Sequence, residues 1–518
     1  MNIKRHLLVW LILFCSIAFN ARGSSLYNIM NYGAVGDGKT YNTEAIQKAI
    51  DHASSNGGGT IYFPAGIYLT RTIILKDNIT LHLSNGSTIL GSKDLNTFNP
   101  AYGSFEDSDG RKFGTALVFA KDCRNISIEG NGTIDGQGYK EFYPKGEGVY
   151  RPYIIRFIRC SFVKVKDVNL INSAAWVQHY VECDDLIIDG ITVRSYSNVN
   201  NDGLDIEGCQ RVIITRCNID CEDDSIVLKA LSTRACRDIT ISDCIISGLK
   251  SAIKTGTESI GSFENITITN CTFYGTRGIS LLAVDGGSVN NVTISNISMR
   301  GTYAVIVMRL GSRMRKYSVP DSLAPVNPGS FRNIMISNVQ AYEVSESNDF
   351  ISGIPGHYIE NVSLSNIRIE YAGGGKKKDF EREIPELIDE YPKARMFETL
   401  PSYGFFIRHA RNISIEDLFI SYKDKEERPA LYCSDVSGLN ISSLKAVSPE
   451  RSIPLIDLHD VQKCLISNCK PEGELDTFLR ISGMNTKEII LNRNYLGNST
   501  KLYSLSPEVN SNTIKELE

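Results

Sequence analysis

Three carboxylates in two short phrases are the residues whose types and spacing suit chemistry. Asp223 and Asp224 stand side by side in "CEDDS" (221–225), with Glu222 just before them. Asp202 lies in "NNDGLD" (200–205), 22 residues ahead of Asp224. Each phrase opens a short apolar strand: Leu204, Asp205, Ile206 after the first, Ile226, Val227, Leu228 after the second. If the two strands are successive layers of a stack, a spacing of about 4.8 Å makes Asp202 and Asp224 neighbours. Like charges held together raise one another's proton affinity, so one acid stays protonated near neutral pH while the others ionise. Glycoside hydrolysis needs that division: one acid protonates the leaving oxygen and another activates water. A Ca²⁺ site also wants clustered oxygens, and a solvated polar edge wants nothing, so three readings stand on spacing alone.

The elements that must position these acids come from a repeat. The phrases "CRNISI" (123), "CSFVKV" (160), "CDDLII" (183), "CQRVII" (209) and "CRDITI" (236) share one pattern. It continues without its leading Cys in "FENITI" (263), "VNNVTI" (289), "FRNIMI" (331), "IENVSL" (359) and "ARNISI" (410). Most intervals are about 23 to 28 residues, the units are β-branched with period two, and each breaks at Asn, Asp or Gly. One such unit cannot bury its face alone, whereas stacked coils can. The pattern predicts an all-β chain, a right-handed parallel β-helix solenoid of about ten or more coils. Cys recurring at one repeat position reads as a small buried side chain rather than a metal ligand.

Alignment of the triples places Leu204, Asp205, Ile206 over Ile226, Val227, Leu228, then Ile253, Lys254, Thr255 and Ile279, Ser280, Leu281. The first and third of each point inward and the middle one outward. "YNTEAIQKAIDHASSNGGG" (41–59) predicts a short N-terminal capping helix that starts at Asn42 or Thr43, with Ala45, Ile46, Ala49, Ile50 and Ala53 as its apolar stripe. It closes an open end of the stack. The segment 373–401 breaks the repeat and reads as a charged surface excursion. Residues 1–23 carry Lys4, Arg5 and His6, an apolar stretch from Leu7 to Phe19, and then small residues, the pattern of a secretory signal peptide. The rest, 24–518, reads as a single domain, secreted or periplasmic, with no integral membrane span once the signal is removed. The net charge of -4 supplies no basic stripe for nucleic acid.

The residues named so far resemble glycoside hydrolase family 28, the polygalacturonases, which are pectin lyase-like β-helices. The resemblance runs from about Tyr27 to at least Arg313. It includes "NIMNYGAVGDGKTYNTEAIQKAID", "GNGTIDGQG" (130–138) and "NSAAWVQHYVECDDL" (172–186). The family's Asn-Thr-Asp motif stands here as Asn200, Asn201, Asp202, and its Asp-Asp motif as Asp223, Asp224. The resemblance implies an inverting mechanism with no cofactor and no metal. Asp223 is then the general acid, while Asp202 and Asp224 hold and deprotonate the attacking water. Inversion calls for a gap of roughly 6.5 to 9.5 Å between acid and base.

Two family motifs are missing. Lys250, Ser251 and Ala252 stand where Gly-His-Gly is expected, and Ser280, Leu281 and Leu282 where Arg-Ile-Lys is expected. The first supports the catalytic acid in the family and the second grips the substrate carboxylate. Lys229, Lys254 and Arg309 are outward cations near the acids and are the expected replacements on the substrate side, with Asp205 beside them. His179, in "WVQHY", matches a His that follows the Trp in the family; it reads as structural rather than catalytic and is counted with the substrate-side residues, and Trp176 is core or cleft wall. The expected activity is hydrolysis of α-galacturonosidic bonds in a pectic polysaccharide or oligosaccharide, by a monomer. The altered motifs favour rhamnogalacturonan or a branched pectin. The alternatives are a polysaccharide lyase on the same fold and a non-catalytic glycan-binding β-helix.

Overall fold

The computed structural model describes residues 25–98, 105–106, 112–113, 115–146, 151–317 and 319–517. The signal-peptide expectation for 1–23 falls outside them. The strands stack almost wholly in parallel, each on the strand one coil before it, as a right-handed parallel β-helix. One face carries the acids. Its strands are β1 (Tyr153–Ile158), β2 (Gln178–Val181), β3 (Leu204–Glu207), β4 (Ile226–Ala230), β5 (Ile253–Ser259), β6 (Ile279–Ala283) and β7 (Ile306–Leu310). Their register is the one read from the repeat: Leu204 pairs with Ile226, Ile226 with Ile253, and Ile253 with Ile279. The inward residues Leu204, Ile206, Ile226, Leu228, Ile253 and Leu281 are buried in one continuous core.

The bends follow from backbone chemistry. Asn265, Asn291, Asn333, Asn361 and Asn412 occupy one corner in successive coils, all with left-handed backbone. Asn tolerates that conformation better than most residues. Its amide also bridges coils: Asn291 Nδ2 donates to Asn265 Oδ1 at 2.8 Å, and Asn361 Nδ2 to Asn333 Oδ1 at 2.9 Å. The repeated Cys behave as small buried groups, as Cys209 does, its thiol donating to the Tyr180 carbonyl at 3.3 Å. Helix α1 (Thr43–Ser55) buries the predicted stripe against the first coil. Asn42 precedes it without capping it, because its side chain accepts instead from Val35 N at 2.6 Å.

The segment 373–401 is not a free surface excursion. It folds back as a strap along the acid-bearing face. Phe350 and Phe406, together with Leu282 of β6 and Val307 of β7, point outward and are apolar. Ala394, Met396, Phe397 and Leu400 cover them in a second core outside the coils. Burying those outward side chains drives the segment down. No helix among the described residues is long and apolar enough to cross a membrane.

Candidate active site

Asp202 is held at the mouth of β3 by its neighbour. The Asn201 amide donates to the carbonyls of Ser173 and Ala175 at 3.0 and 2.9 Å, and its oxygen accepts from Ser195 Oγ at 2.9 Å. The Asp202 carbonyl accepts from Val177 N at 2.8 Å. Gly203 follows because a Cβ there would lie 2.5 Å from the Ser225 carbonyl oxygen. One coil on, Asp223 and Asp224 precede β4. Asp224 accepts from Ser251 N at 2.8 Å through Oδ1 and from Lys254 Nζ at 2.8 Å through Oδ2. One carboxylate oxygen from each of Asp202, Asp223 and Asp224 lies within 4.8 Å of the other two. Coil stacking brings Asp202 to the Asp223–Asp224 pair, since neighbouring coils stand about 4.8 Å apart. A water bonded at about 2.8 Å to each of two oxygens spans such a separation.

The three carboxyls are unequal. Burial pushes Asp202 well above the ordinary carboxylate range, helped by Asp205 and Asp223. Burial also raises Asp223, with Asp224 adding to it. For Asp224, burial acts upward but is outweighed by the Lys254 charge and the bonds from Lys254 and Ser251, which hold it below its ordinary value. Asp224 is therefore the most readily ionised of the three, and Asp223 holds its proton more readily than its neighbour. Asp202, 5% exposed, gives up its proton less readily than Asp224, which makes Asp224 the better base of the two.

Beneath the trio lies a buried ionic floor. Lys229 Nζ sits 3.1 Å from Glu258 Oε2, 3.5 Å from Asp205 Oδ1 and 4.3 Å from the Trp176 ring centre. One cation shared by two acids leaves one of them protonated. Burial pushes Asp205 up to about 8, against the pull of Lys229. Glu207 is pushed up to about 8 by burial, against Arg156 and Lys229. His179 Nε2 and Glu207 Oε2 share a hydrogen bond of 2.8 Å. Burial, with Arg156 and Lys229, keeps the His179 imidazole well below its usual value and hence neutral.

Several expected substrate contacts are therefore internal supports. Asp205 and His179 are fully buried, and Lys229 is committed to Glu258 and Asp205. Lys254 reaches from the next coil to Asp224. Arg309, 1% exposed, is buried under the strap. It donates to Ser352 Oγ at 2.8 Å and to the carbonyls of Gly353, Glu386 and Leu387 at 2.9, 2.7 and 2.9 Å. Each side chain does point outward from its coil, as alternation required, but outward is not exposed once the strap and the loops ahead of the strands cover the face. Glu207 and Arg156 were missed, although alternation places both in outward rows. Lys250 was noted only as a departure from Gly-His-Gly. It is half-buried, close enough to lower the Asp223 carboxyl electrostatically, and in no ion pair among the described residues. Tyr391 of the strap lies with its ring centre 5.9 Å from Lys254 Nζ.

A parallel β-helix with three acids gathered on one sheet face is the architecture of a polysaccharide-processing protein. The chain matches glycosyl hydrolases family 28 over residues 70–382 and belongs to that family. It is 32% identical over 230 residues to a probable polygalacturonase of Vitis vinifera, covering 42% of this chain and 46% of that protein. An exo-poly-alpha-D-galacturonosidase of Dickeya chrysanthemi is 28% identical over 248 residues, covering 38% and 41%. The chain thus spans about half the length of the curated relatives it matches. Among solved structures it resembles a hyperthermoactive exopolygalacturonase from Thermotoga maritima, with 26% identity, a TM-score of 0.58, and coverage of 67% of this chain and 87% of that one. The family 28 exopolygalacturonase of Yersinia enterocolitica shares the fold at 20% identity and a TM-score of 0.61, covering 80% and 78%.

Proposed function

We propose that this protein is a secreted glycoside hydrolase that cleaves α-galacturonosidic bonds in pectic polysaccharide by general acid–base catalysis. The observation that carries this reading is the clustering of three carboxyls whose oxygens lie within 4.8 Å, of which Asp224 alone is bonded by a lysine. Asp223 donates its proton to the leaving glycosidic oxygen. Asp224, kept ionised by Lys254, orders and deprotonates the water, with Asp202 as its second holder. A binding protein gains nothing from burying mutually repelling acids, and a lyase has no use for a proton donor beside a water-activating base. With Lys254 and Arg309 committed elsewhere, Lys250 is the cation left to meet a uronate carboxylate beside Asp223. The strap and Tyr391 wall one end of the cleft, which suits release of units from a chain end. Residues 1–23 direct the chain out of the cytoplasm.

The reaction is tested on a panel of pectic oligosaccharides by product analysis. Asp223→Asn is expected to lower kcat by about 10²- to 10⁴-fold with little change in KM, and full turnover in that variant would refute the assignment of the acid. Lys250→Met is expected to raise KM for uronate substrates while leaving kcat nearly unchanged. The family favours inversion of the anomeric centre. Proton NMR of the first-formed reducing end tests this, and retention there would refute the mechanism.

A further inference from the structure

The corner of the β-helix that carries the Asn ladder holds a second feature, which begins in the coils before the acids and runs into theirs, around the bend from them. In register, the corner runs Asn78, Asn125, Phe162, Asp185, Arg211, Asp238, Asn265. Every one of these residues has left-handed backbone, and Phe162 has φ 56°. A bulky residue there costs about 1–2 kcal/mol that Asn largely avoids. The exchange of Asn for Phe does not serve the core, because Phe162 is 44% exposed. An aromatic ring kept in a strained and solvated place points to a contact with something outside the chain.

The surroundings say what that contact is. Phe162 borders a groove of about 780 Å³ that crosses six coils, from Asn78 to Thr240. Ile187 and Ile213 form an apolar strip along it. Arg124 lies 4.6 Å from the Phe162 ring centre. Lys164 projects from the strand Ser161–Lys166 into the same groove. The acids are already neutralised: Asp185 accepts from Arg211 at 2.7 and 3.1 Å, and Asp238 lies 3.7 Å from Arg237. Arg124 and Lys164 make no ion pair among the described residues, so the groove presents surplus positive charge. Its positions repeat every 4.8 Å or so, a step comparable to one sugar unit.

We propose that this groove is a second binding site for an acidic polysaccharide, separate from the catalytic cleft. Sugar C–H faces lie on Phe162 and the isoleucine strip, and carboxylates meet Arg124 and Lys164. The site tethers the enzyme to polymer while the acids work on the neighbouring face. The choice of a polyuronate rests on the pectic reading above, whereas the existence of the groove does not.

The test uses the full chain carrying Asp223→Asn, so that polymer is bound without being cut. Retention is measured by affinity electrophoresis in gels containing polygalacturonate or uncharged dextran. The double variant Phe162→Asn/Lys164→Ser is expected to bind polygalacturonate about fivefold or more weakly. Its melting temperature should not fall, because Asn is the residue this corner already favours. In the Asp223 background, the same double variant should keep its kcat/KM on a trigalacturonide and lose it on the polymer. Unchanged retention of a folded double variant would overturn the site, and equal retention on dextran would overturn the acidic class of ligand. If no pectic substrate is cut yet retention still depends on Phe162, the hydrolase reading falls and the groove stands.

Discussion

Lys254 sets the charge of one catalytic carboxyl. Its ammonium bonds Asp224 at 2.8 Å, and that contact keeps Asp224 ionised although burial favours the neutral form. A carboxyl held below its ordinary value adds stability above about pH 4, lost as pH falls through the lowered value. Replacing Lys254 with Met should therefore move the acid limb of kcat/KM upward by about a unit or more. It should also cost about 3–5 kcal/mol of stability, as breaking a buried pair does. Lys254→Arg keeps the charge and should keep most of the acid limb. A pH–rate profile of the Met variant with an unmoved acid limb would remove Lys254 from this role. The identity of the acids was legible because two motifs one repeat apart must stack. Their partners were not legible to the same degree. Alternation says that Lys229, Lys254 and Arg309 leave the core, but it does not say whether water, an acid or another segment waits outside.

At the scale of elements, the strap is what the repeat could not reveal. The coils were legible because period-two burial recurs in each one, and their register then follows. The strap has no period, and its charged composition reads as solvated. Its docking depends on outward apolar residues more than forty positions away, such as Val307 and Phe350. Two buried arginines fix it. Arg309 bonds the carbonyls of Glu386 and Leu387, and Arg408 those of Ile384 and Pro385 at 2.8 and 3.0 Å. Burial and the neighbouring Arg408 pull the Arg309 guanidinium down to about 9, the electrostatic cost of placing two cations side by side under a loop. Arg309→Met leaves those carbonyls without a charged donor, at about 1–3 kcal/mol for each buried group left unpaired. Limited proteolysis should then cut within 381–399 faster than in the parent. If the strap walls the cleft, the variant should also lower the viscosity of polygalacturonate more for each new reducing end, the mark of internal cutting. Parent-like viscosity curves alongside faster proteolysis would show that the strap stabilises the fold without setting the mode of attack.

At the scale of the whole molecule, the β-helix pays for its active face with buried acids that hold protons. Asp205 and Glu207 are both pushed up to about 8 by burial. The folded protein therefore binds their protons more tightly than the unfolded chain does, and stability falls as pH climbs from about 4 to about 8. His179 works the other way, since its lowered value makes stability rise with pH, but only up to its unfolded value near 6.5. Between about pH 6.5 and 8 the acids act without that opposition. The slope there should approach about 1.4 kcal/mol per pH unit for each acid still protonated. Urea midpoints measured across this window should fall in the parent and fall less steeply in Glu207→Gln, which cannot ionise. The variant keeps a hydrogen-bonding group beside His179, so a change in slope reports the proton rather than lost packing. If parent and variant show the same flat profile, the floor acids are ionised already, balanced by Lys229 and Arg156. The proton economy of the site would then have to reside in Asp202 and Asp223 alone. A steep parent and a shallower variant instead tie the stability of the stacked coils to the same buried protons that set the catalytic carboxyls apart.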